Sequence, residues 1–303
     1  MKKDLLGLEG MTKSEINEIL DTAEIMRGRL DRRELNGDDA KNMSVVNLFY
    51  ENSTRTRTSF ENASKFLGAN QVNIAVEASS VAKGETLYDT GATLYAIKNN
   101  IIVIRHKMAG VPKYLASKVP AHVLNAGDGQ HEHPTQALLD MLTMRRHFGK
   151  IEGLTVAIIG DVKYSRVARS NIHGLLTMGA KVKVFAINTL LPQGIEEMGV
   201  TVCKSVEEAI SGSDVVMGLR IQLERQTSGQ FPSVREYFRE YGITAERMKL
   251  ANKNAIVMHP GPVNRGVEIA GDVVDGKQSK ILEQVTNGVA VRMAVIKLMS
   301  EGK

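Results

Sequence analysis

Short apolar runs alternate with helical periodicities along almost the whole chain. Runs near 45–50, 71–76, 100–105, 121–125, 154–160, 181–187, 200–203, 214–219 and 255–258 read as strands, and most of the segments between them space their apolar residues as helices do. Strands separated by helices predict parallel sheets covered on both faces, with ligands gathered beyond the carboxyl ends of the strands. The fold class expected is therefore α/β: two doubly wound parallel-sheet domains with the active site in the cleft between them. Gly149-Lys150-Ile151-Glu152-Gly153 is the best break, because it ends the helix Pro134 to Phe148 and precedes a fresh buried strand. The last helix, Asn287 to Ser300, is apolar on several sides and is expected to be largely buried, packing back on the first lobe. The domains expected are 1–149 with 286–303, and 150–285.

Length agrees with two domains, since 303 residues is long for one core. With 43% hydrophobic and 24% charged residues, and no apolar stretch near the roughly 20 residues that span a bilayer, the chain is expected to be soluble and cytoplasmic, without membrane partners. The amino end leads into an amphipathic helix bearing Glu15, Glu18 and Glu24, not into a secretory signal. Cys203 is the sole cysteine, which excludes an internal disulfide and a cysteine-rich zinc site; in its apolar run a buried, inert thiol is expected. The net charge of +5 is scattered, with no basic block and no Trp, so a small anionic ligand fits better than nucleic acid.

Six strands end in polar clusters. Ser53-Thr54-Arg55-Thr56-Arg57 follows the strand Val45 to Tyr50 and precedes a helical stretch from Ser59 to Gly68, which suits a phosphate: helix amides and dipole attract an anion, and a guanidinium grips its oxygens at two points. An ordinary hydroxyl cap with two solvated arginines is the plain alternative. Arg105-His106 ends the next cluster-bearing strand, and Asn125 to Gln136 carries Gly127-Asp128-Gly129 and His131-Glu132-His133-Pro134-Thr135-Gln136. Pro134 suits a first helical turn, which puts His133 at the positive end of a helix, where a neutral imidazole is expected to donate one hydrogen bond to a carbonyl oxygen. The His131-x-His133 spacing also admits a metal, but no third ligand of matching type stands near it in sequence.

Asp161 to Arg166, Arg220-Ile221-Gln222 and His259-Pro260-Gly261-Pro262 close three further strands. The strand ending at Gly160 opens like a dinucleotide-binding unit, yet Val162 stands where the second glycine belongs. Any one arginine could be a surface residue or a structural ion pair. Arg55, Arg105, Arg166 and Arg220 share a topological position, which implies a substrate with several phosphate or carboxylate oxygens. Ser79 to Thr86 reads as a solvated loop or as a lid carrying Lys83.

Together, Ser53 to Arg57, Lys83-Gly84-Glu85-Thr86, Arg105-His106, Asn125 to Gly129, His133 to Gln136, Asp161 to Arg166 and His259 to Pro262 resemble, in order and spacing, the aspartate carbamoyltransferase family, and the resemblance covers essentially the whole chain. Ornithine carbamoyltransferases share the first run and His-Pro-Thr-Gln; the cysteine-free His259-Pro260-Gly261-Pro262 and the pair Arg166 and Arg220 favour aspartate as acceptor. The resemblance implies carbamoyl transfer from carbamoyl phosphate to L-aspartate in pyrimidine biosynthesis, with no cofactor and no metal. It implies that Ser53, Thr54, Arg55 and Thr56 bind the phosphate, that Thr56, Arg105 and His133 contact the carbonyl oxygen, and that Gln136 and the carbonyls of Gly261 and Pro262 hold the amino group. Arg166, Arg220 and Gln222 would hold aspartate. Lys83, with Ser80 or Ser79, would come from a neighbouring subunit of a homotrimer with shared active sites. Whether regulatory chains or a dihydroorotase join it stays open, and a non-catalytic anion sensor is the reading from another class.

Overall fold

The computed structural model describes residues 3–75, 84–221 and 233–302. It divides into two compact units, Met1–Leu142 with Thr286–Lys303, and Thr143–Val285. Among the described residues nine strands form, one at each position that the apolar runs predict.

In the first unit β1 (Ser44–Phe49), β2 (Asn70–Ala75), β3 (Ile101–His106) and β4 (His122–Asp128) make a sheet in the order β2-β1-β3-β4. Every ladder in it is parallel, with Ser44 opposite Asn70, Val45 opposite Ile101 and Ile101 opposite His122. Val46, Leu48, Ile102, Ile104 and Val123 are buried with Leu94 of α3 (Leu87–Ala96) and Leu115 of α4 (Val111–Ala116), as a sheet covered by helices requires. At the amino end α1 (Lys13–Asp31) is fixed by a reciprocal cap between Thr12 and Glu15, and it buries Ile16, Ile19, Leu20, Ala23 and Met26 at helical spacing. The helix α2 (Thr54–Phe66) starts five positions before the expected Ser59, because Ser53 turns extended and its carbonyl accepts the Arg57 N–H at 3.3 Å. The polar run is thus the helix's own first turn.

The helix α5 (Pro134–Phe148) has the bounds that Pro134 and Gly149 predict. In the second unit, β5 (Thr155–Ile159), β6 (Lys181–Phe185), β7 (Thr201–Val202), β8 (Val215–Gly218) and β9 (Ile256–Met258) form a parallel sheet in the order β7-β6-β5-β8-β9. Its core includes Ala157, Ile159, Val216 and Val257 with Val206, Ala209 and Ile210 of α7 (Val206–Ile210). Cys203 is buried there, and burial pushes its thiol pKa up, as an inert cysteine requires. Among its described residues this unit also forms the α-helices α6 (Arg166–Thr177), α8 (Val234–Tyr241), α9 (Ala245–Met248) and α10 (Gly271–Val274).

The last helix, α11 (Ile281–Glu301), begins before the expected Asn287, because its first turns expose Leu282 and Val285 and so hide the apolar stripe. From Ala290 to Ile296 it is buried on nearly every side, and Ser300 reaches the Asp39 carbonyl of the first unit at 3.2 Å. Among the described residues no helix is long and apolar enough to cross a membrane.

Both strand orders place a switch in chain direction beside the first strand of the unit: between β1 and β3, and between β5 and β8. At the second, Gly160 carries φ +130°, and a Cβ there would stand 2.6 Å from the Leu219 carbonyl oxygen. Gly160→Ala is therefore expected to cost about 2–4 kcal/mol from strain and overlap. A urea midpoint equal to that of the parent would show that the two strand ends do not approach in this way.

At the first switch, His106 packs edge-on to Tyr50 with ring centroids 4.7 Å apart, and its Nδ1 accepts the Met108 N–H at 3.0 Å. Burial holds its imidazole below the ordinary 6.5. As pH falls the unfolded chain takes up this proton first, so the contribution of the neutral ring to stability is present above about 6.5 and is lost down to the folded midpoint. An NMR titration should give His106 a midpoint below 6.5; a midpoint at or above that value would contradict the packing.

Candidate active site

At the first switch point the sheet order sets three strand ends side by side. After β1 comes Ser53, extended at φ −158° and ψ 92°, whose side chain makes no capping bond, followed by Thr54, Arg55 and Thr56 in the first turn of α2. That turn carries no acid, so its amides and dipole keep their pull on an anion. Thr54 and Arg55 face solvent while Thr56 is buried, which places a hydroxyl beneath an exposed cationic rim.

Arg105 lies at the end of β3, opposite Phe49 in register. Its Nε donates to Glu51 Oε2 at 3.1 Å and its Nη1 lies 3.5 Å from the Ala126 carbonyl oxygen, with the side chain 16% exposed. A guanidinium held at both ends in this way points in one direction.

The third strand end is built around Asp128. Its carboxylate accepts from the Gly110 N–H at 2.7 Å, from Asn125 Nδ2 at 2.8 Å and from the Glu132 N–H at 3.1 Å, and His131 Nδ1 stands 3.1 Å away. Asn125 also donates to the Leu6 carbonyl and accepts the Gly127 N–H, so one amide and one carboxylate fix the turn. The turn delivers His133, 4% exposed, to the start of α5, where the Gln136 N–H donates to its carbonyl at 3.0 Å. Gln136 Nε2 donates to Asp140 Oδ1 at 2.9 Å.

The histidine pair does not gather as a metal pair. The group among the described residues that could hold an ion is Glu9, His131 and Glu132, and both Glu132 oxygens already accept backbone N–H groups, of Leu8 at 2.7 Å and Glu9 at 3.1 Å. These bonds give Glu132 a structural task, tethering the amino-terminal segment to the turn.

In the second unit, β5, β8 and β9 again end side by side. After β5 the Tyr164 N–H donates to buried Asp161 at 3.1 Å, the Ser165 hydroxyl caps α6 by accepting from the Ala168 N–H, and Arg166 opens that helix, only 5% exposed. Arg220 follows β8, half-buried. After β9, the loop His259 to Asn264 is held from within. His259 Nδ1 accepts the Gly261 N–H at 2.8 Å, which puts its proton on Nε2, 3.1 Å from Glu268 Oε1. The same oxygen accepts the Asn264 N–H at 2.6 Å, and Asn264 Nδ2 reaches the Ile221 carbonyl at 3.4 Å, tying this loop to the strand end that bears Arg220. Gly261-Pro262 is a cis peptide.

The structure therefore brings Ser53, Thr54, Arg55, Thr56, Arg105, His133 and Gln136 to neighbouring strand ends in one unit, and Arg166, Arg220, Gly261 and Pro262 to neighbouring strand ends in the other. Ser79, Ser80, Lys83 and Gln222 lie outside the described residues. The supports Glu51, Asp140 and Glu268 escaped the sequence reading; a carboxylate a few residues from a cationic strand end was the one available signal, and only for Glu51.

Residues 3–146 match the family model for the aspartate/ornithine carbamoyltransferase carbamoyl-P binding domain, and residues 152–299 match that for the Asp/Orn binding domain. The aspartate carbamoyltransferase catalytic subunit of Acetivibrio thermocellus is 56% identical over 98% of this chain and 96% of its own. Aspartate transcarbamoylase from Trypanosoma cruzi, solved in complex with carbamoyl aspartate and phosphate, superposes with a TM-score of 0.88 at 34% identity, covering 98% of this chain and 95% of that one. Ornithine carbamoyltransferase from Thermus thermophilus superposes with a TM-score of 0.86 at 26% identity, over 99% of each chain. Two parallel-sheet units with arginines at the strand ends beside both switch points, together with matches along nearly the full length, place the chain in the aspartate/ornithine carbamoyltransferase family.

Proposed function

We infer that the chain is an aspartate carbamoyltransferase, which moves the carbamoyl group of carbamoyl phosphate onto the amino group of L-aspartate and releases phosphate, an early step toward pyrimidines. The observation that carries this reading is the distribution of cations: a helix amino terminus with Arg55 and Arg105 suits a phosphate, and Arg166 with Arg220 suits an acceptor with two carboxylates. An acceptor with a side-chain ammonium in place of the second carboxylate would be repelled there. The relatives named for aspartate, at 56% and 34% identity, support the same choice over the ornithine enzyme at 26%.

In the mechanism this implies, Ser53, Thr54, Arg55 and Thr56 hold the phosphate, and Thr56, Arg105 and His133 donate to the carbonyl oxygen. The amine nitrogen attacks the carbonyl carbon, negative charge gathers on that oxygen, and the bond to the phosphate oxygen breaks as the amine's proton passes to the departing phosphate. Donors fixed before the reaction stabilise this charge at no cost of rearrangement, each worth about 10²–10³-fold in rate. Anchoring of Arg105 by Glu51 and of the His133 turn by Asp128 supplies that fixity. Gln136 and the carbonyls of Gly261 and Pro262 orient the amino group, and Arg166, Arg220 and Gln222 hold aspartate. Lys83, with Ser80 or Ser79, would be supplied by the neighbouring chain of a cytoplasmic homotrimer.

Purified protein given carbamoyl phosphate should form ureido product with aspartate and not with ornithine; product with ornithine alone would overturn the assignment. For the shared site, mixtures of Arg55→Ala and Lys83→Ala chains should regain activity that neither has by itself. Confirmed subunit exchange without any recovery would mean that each chain carries a self-contained site.

A further inference from the structure

Arg292 of α11 is a buried cation that the mechanism above does not use. Only 4% of the residue is exposed, and its Nη1 donates to two neutral oxygens, Ser59 Oγ at 2.9 Å and the Gly288 carbonyl at 3.0 Å. The guanidinium lies over the Phe60 ring, 5.0 Å from its centroid. Ser59 stands one helical turn after Arg55, and Phe60 one turn after Thr56, so Arg292 grips α2 directly below the residues assigned to phosphate. The absence of a side chain at Gly288 permits this: a Cβ there would stand 2.7 Å from Arg292 Nη1 and 3.1 Å from Leu139 of α5. The site is thus a junction of α2, α5 and α11 inside the first unit.

Burial, and next the Arg105 cation, pull Arg292 down to about 9, while Asp140 acts the other way. It remains charged at neutral pH, surrounded by dipoles and a ring that leave most of its field uncancelled. Asp140, fully buried in the second turn of α5, bears the opposing charge and receives the Gln136 amide.

We propose that Arg292 and Asp140 set the anion affinity of the Arg55 and Arg105 site from beneath, Arg292 raising it and Asp140 lowering it, with neither side chain touching the ligand. The inference rests on the reading of that site as a phosphate site. Arg292 adds its charge to that of Arg105, which Glu51 already pairs, so an arriving anion meets a field that the buried Arg292 strengthens and Asp140 weakens. Arg292 is then a positioning residue whose charge, more than its hydrogen bonds, is what the site uses.

The test is calorimetric titration of the intact protein with inorganic phosphate at one fixed ionic strength, in the parent and in Arg292→Gln, Arg292→Lys and Asp140→Asn. Glutamine keeps a donor for Ser59 and loses the charge, so phosphate should bind at least about tenfold more weakly, the effect expected on each unit of ligand charge roughly 10 Å away at an effective dielectric constant of about 20. Lysine keeps the charge and should stay within about threefold of the parent. Asparagine keeps the acceptor for Gln136 and removes the opposing charge, so phosphate should bind several-fold more tightly. A purely structural role would weaken Gln and Asn alike, so both variants moving in one direction, or neither moving, overturns the proposal. Should Arg292→Gln fail to fold, Asp140→Asn decides alone: affinity equal to or below the parent's ends it. A parent protein that binds no phosphate would remove the phosphate site itself and this inference with it, an outcome distinct from the others.

Discussion

Cations gathered at one edge of a sheet repel each other, and their usefulness depends on something other than neutralisation holding them there. In the first unit carboxylates hold the strand ends by hydrogen bonds to backbone and side chain. Glu51 binds Arg105 through Nε, the side of the fork away from the tip. Asp128 engages two backbone N–H groups, the Asn125 amide and His131, and so fixes the turn that carries His133. Hydrogen bonds to the base of each element set its orientation.

The same logic governs the second unit, where the support is a histidine. With Nδ1 accepting the Gly261 N–H and Nε2 donating to Glu268, His259 braces the loop from inside, and Glu268 accepts the Asn264 N–H as well. The Gly261 and Pro262 carbonyls are therefore presented by a rigid turn although glycine and a chain reversal stand at its centre. Buried polar groups are costly unless partnered, and partnering them is what gives this turn one shape.

Much of this was legible in the sequence, for identifiable reasons. Parallel strands buried on both faces are nearly continuous apolar runs, so all nine positions could be read, and Pro134 and Gly149 mark both ends of α5. The starts of α2 and α11 could not be read the same way. Thr54-Arg55-Thr56 has poor helix propensity and looks like a loop, and the first turns of α11 put Leu282 and Val285 in solvent, which breaks the expected stripe. The cationic candidates were visible because the strand-end rule is topological. Their supports were not, because Glu51, Asp140, Glu268 and Arg292 owe their roles to packing between segments far apart in the chain.

Arg292 shows how such a role escapes a linear reading. On an apolar helix a lone arginine looks like the exposed edge of an otherwise buried stripe, yet here it points inward to Ser59 and Phe60. Had a carboxylate closed a direct ion pair with it, its field would end at that partner, and α2 would gain only a cross-link. Neutral oxygens and the face of a ring hold the guanidinium while cancelling little of its charge. Asp140 stands near enough to temper it, with Oδ1 receiving the Gln136 amide. The interior of the first unit thus carries a net field toward the end of α2 where the exposed arginine and hydroxyls stand, and burial, which makes that field costly to keep, also makes it act with little screening by salt.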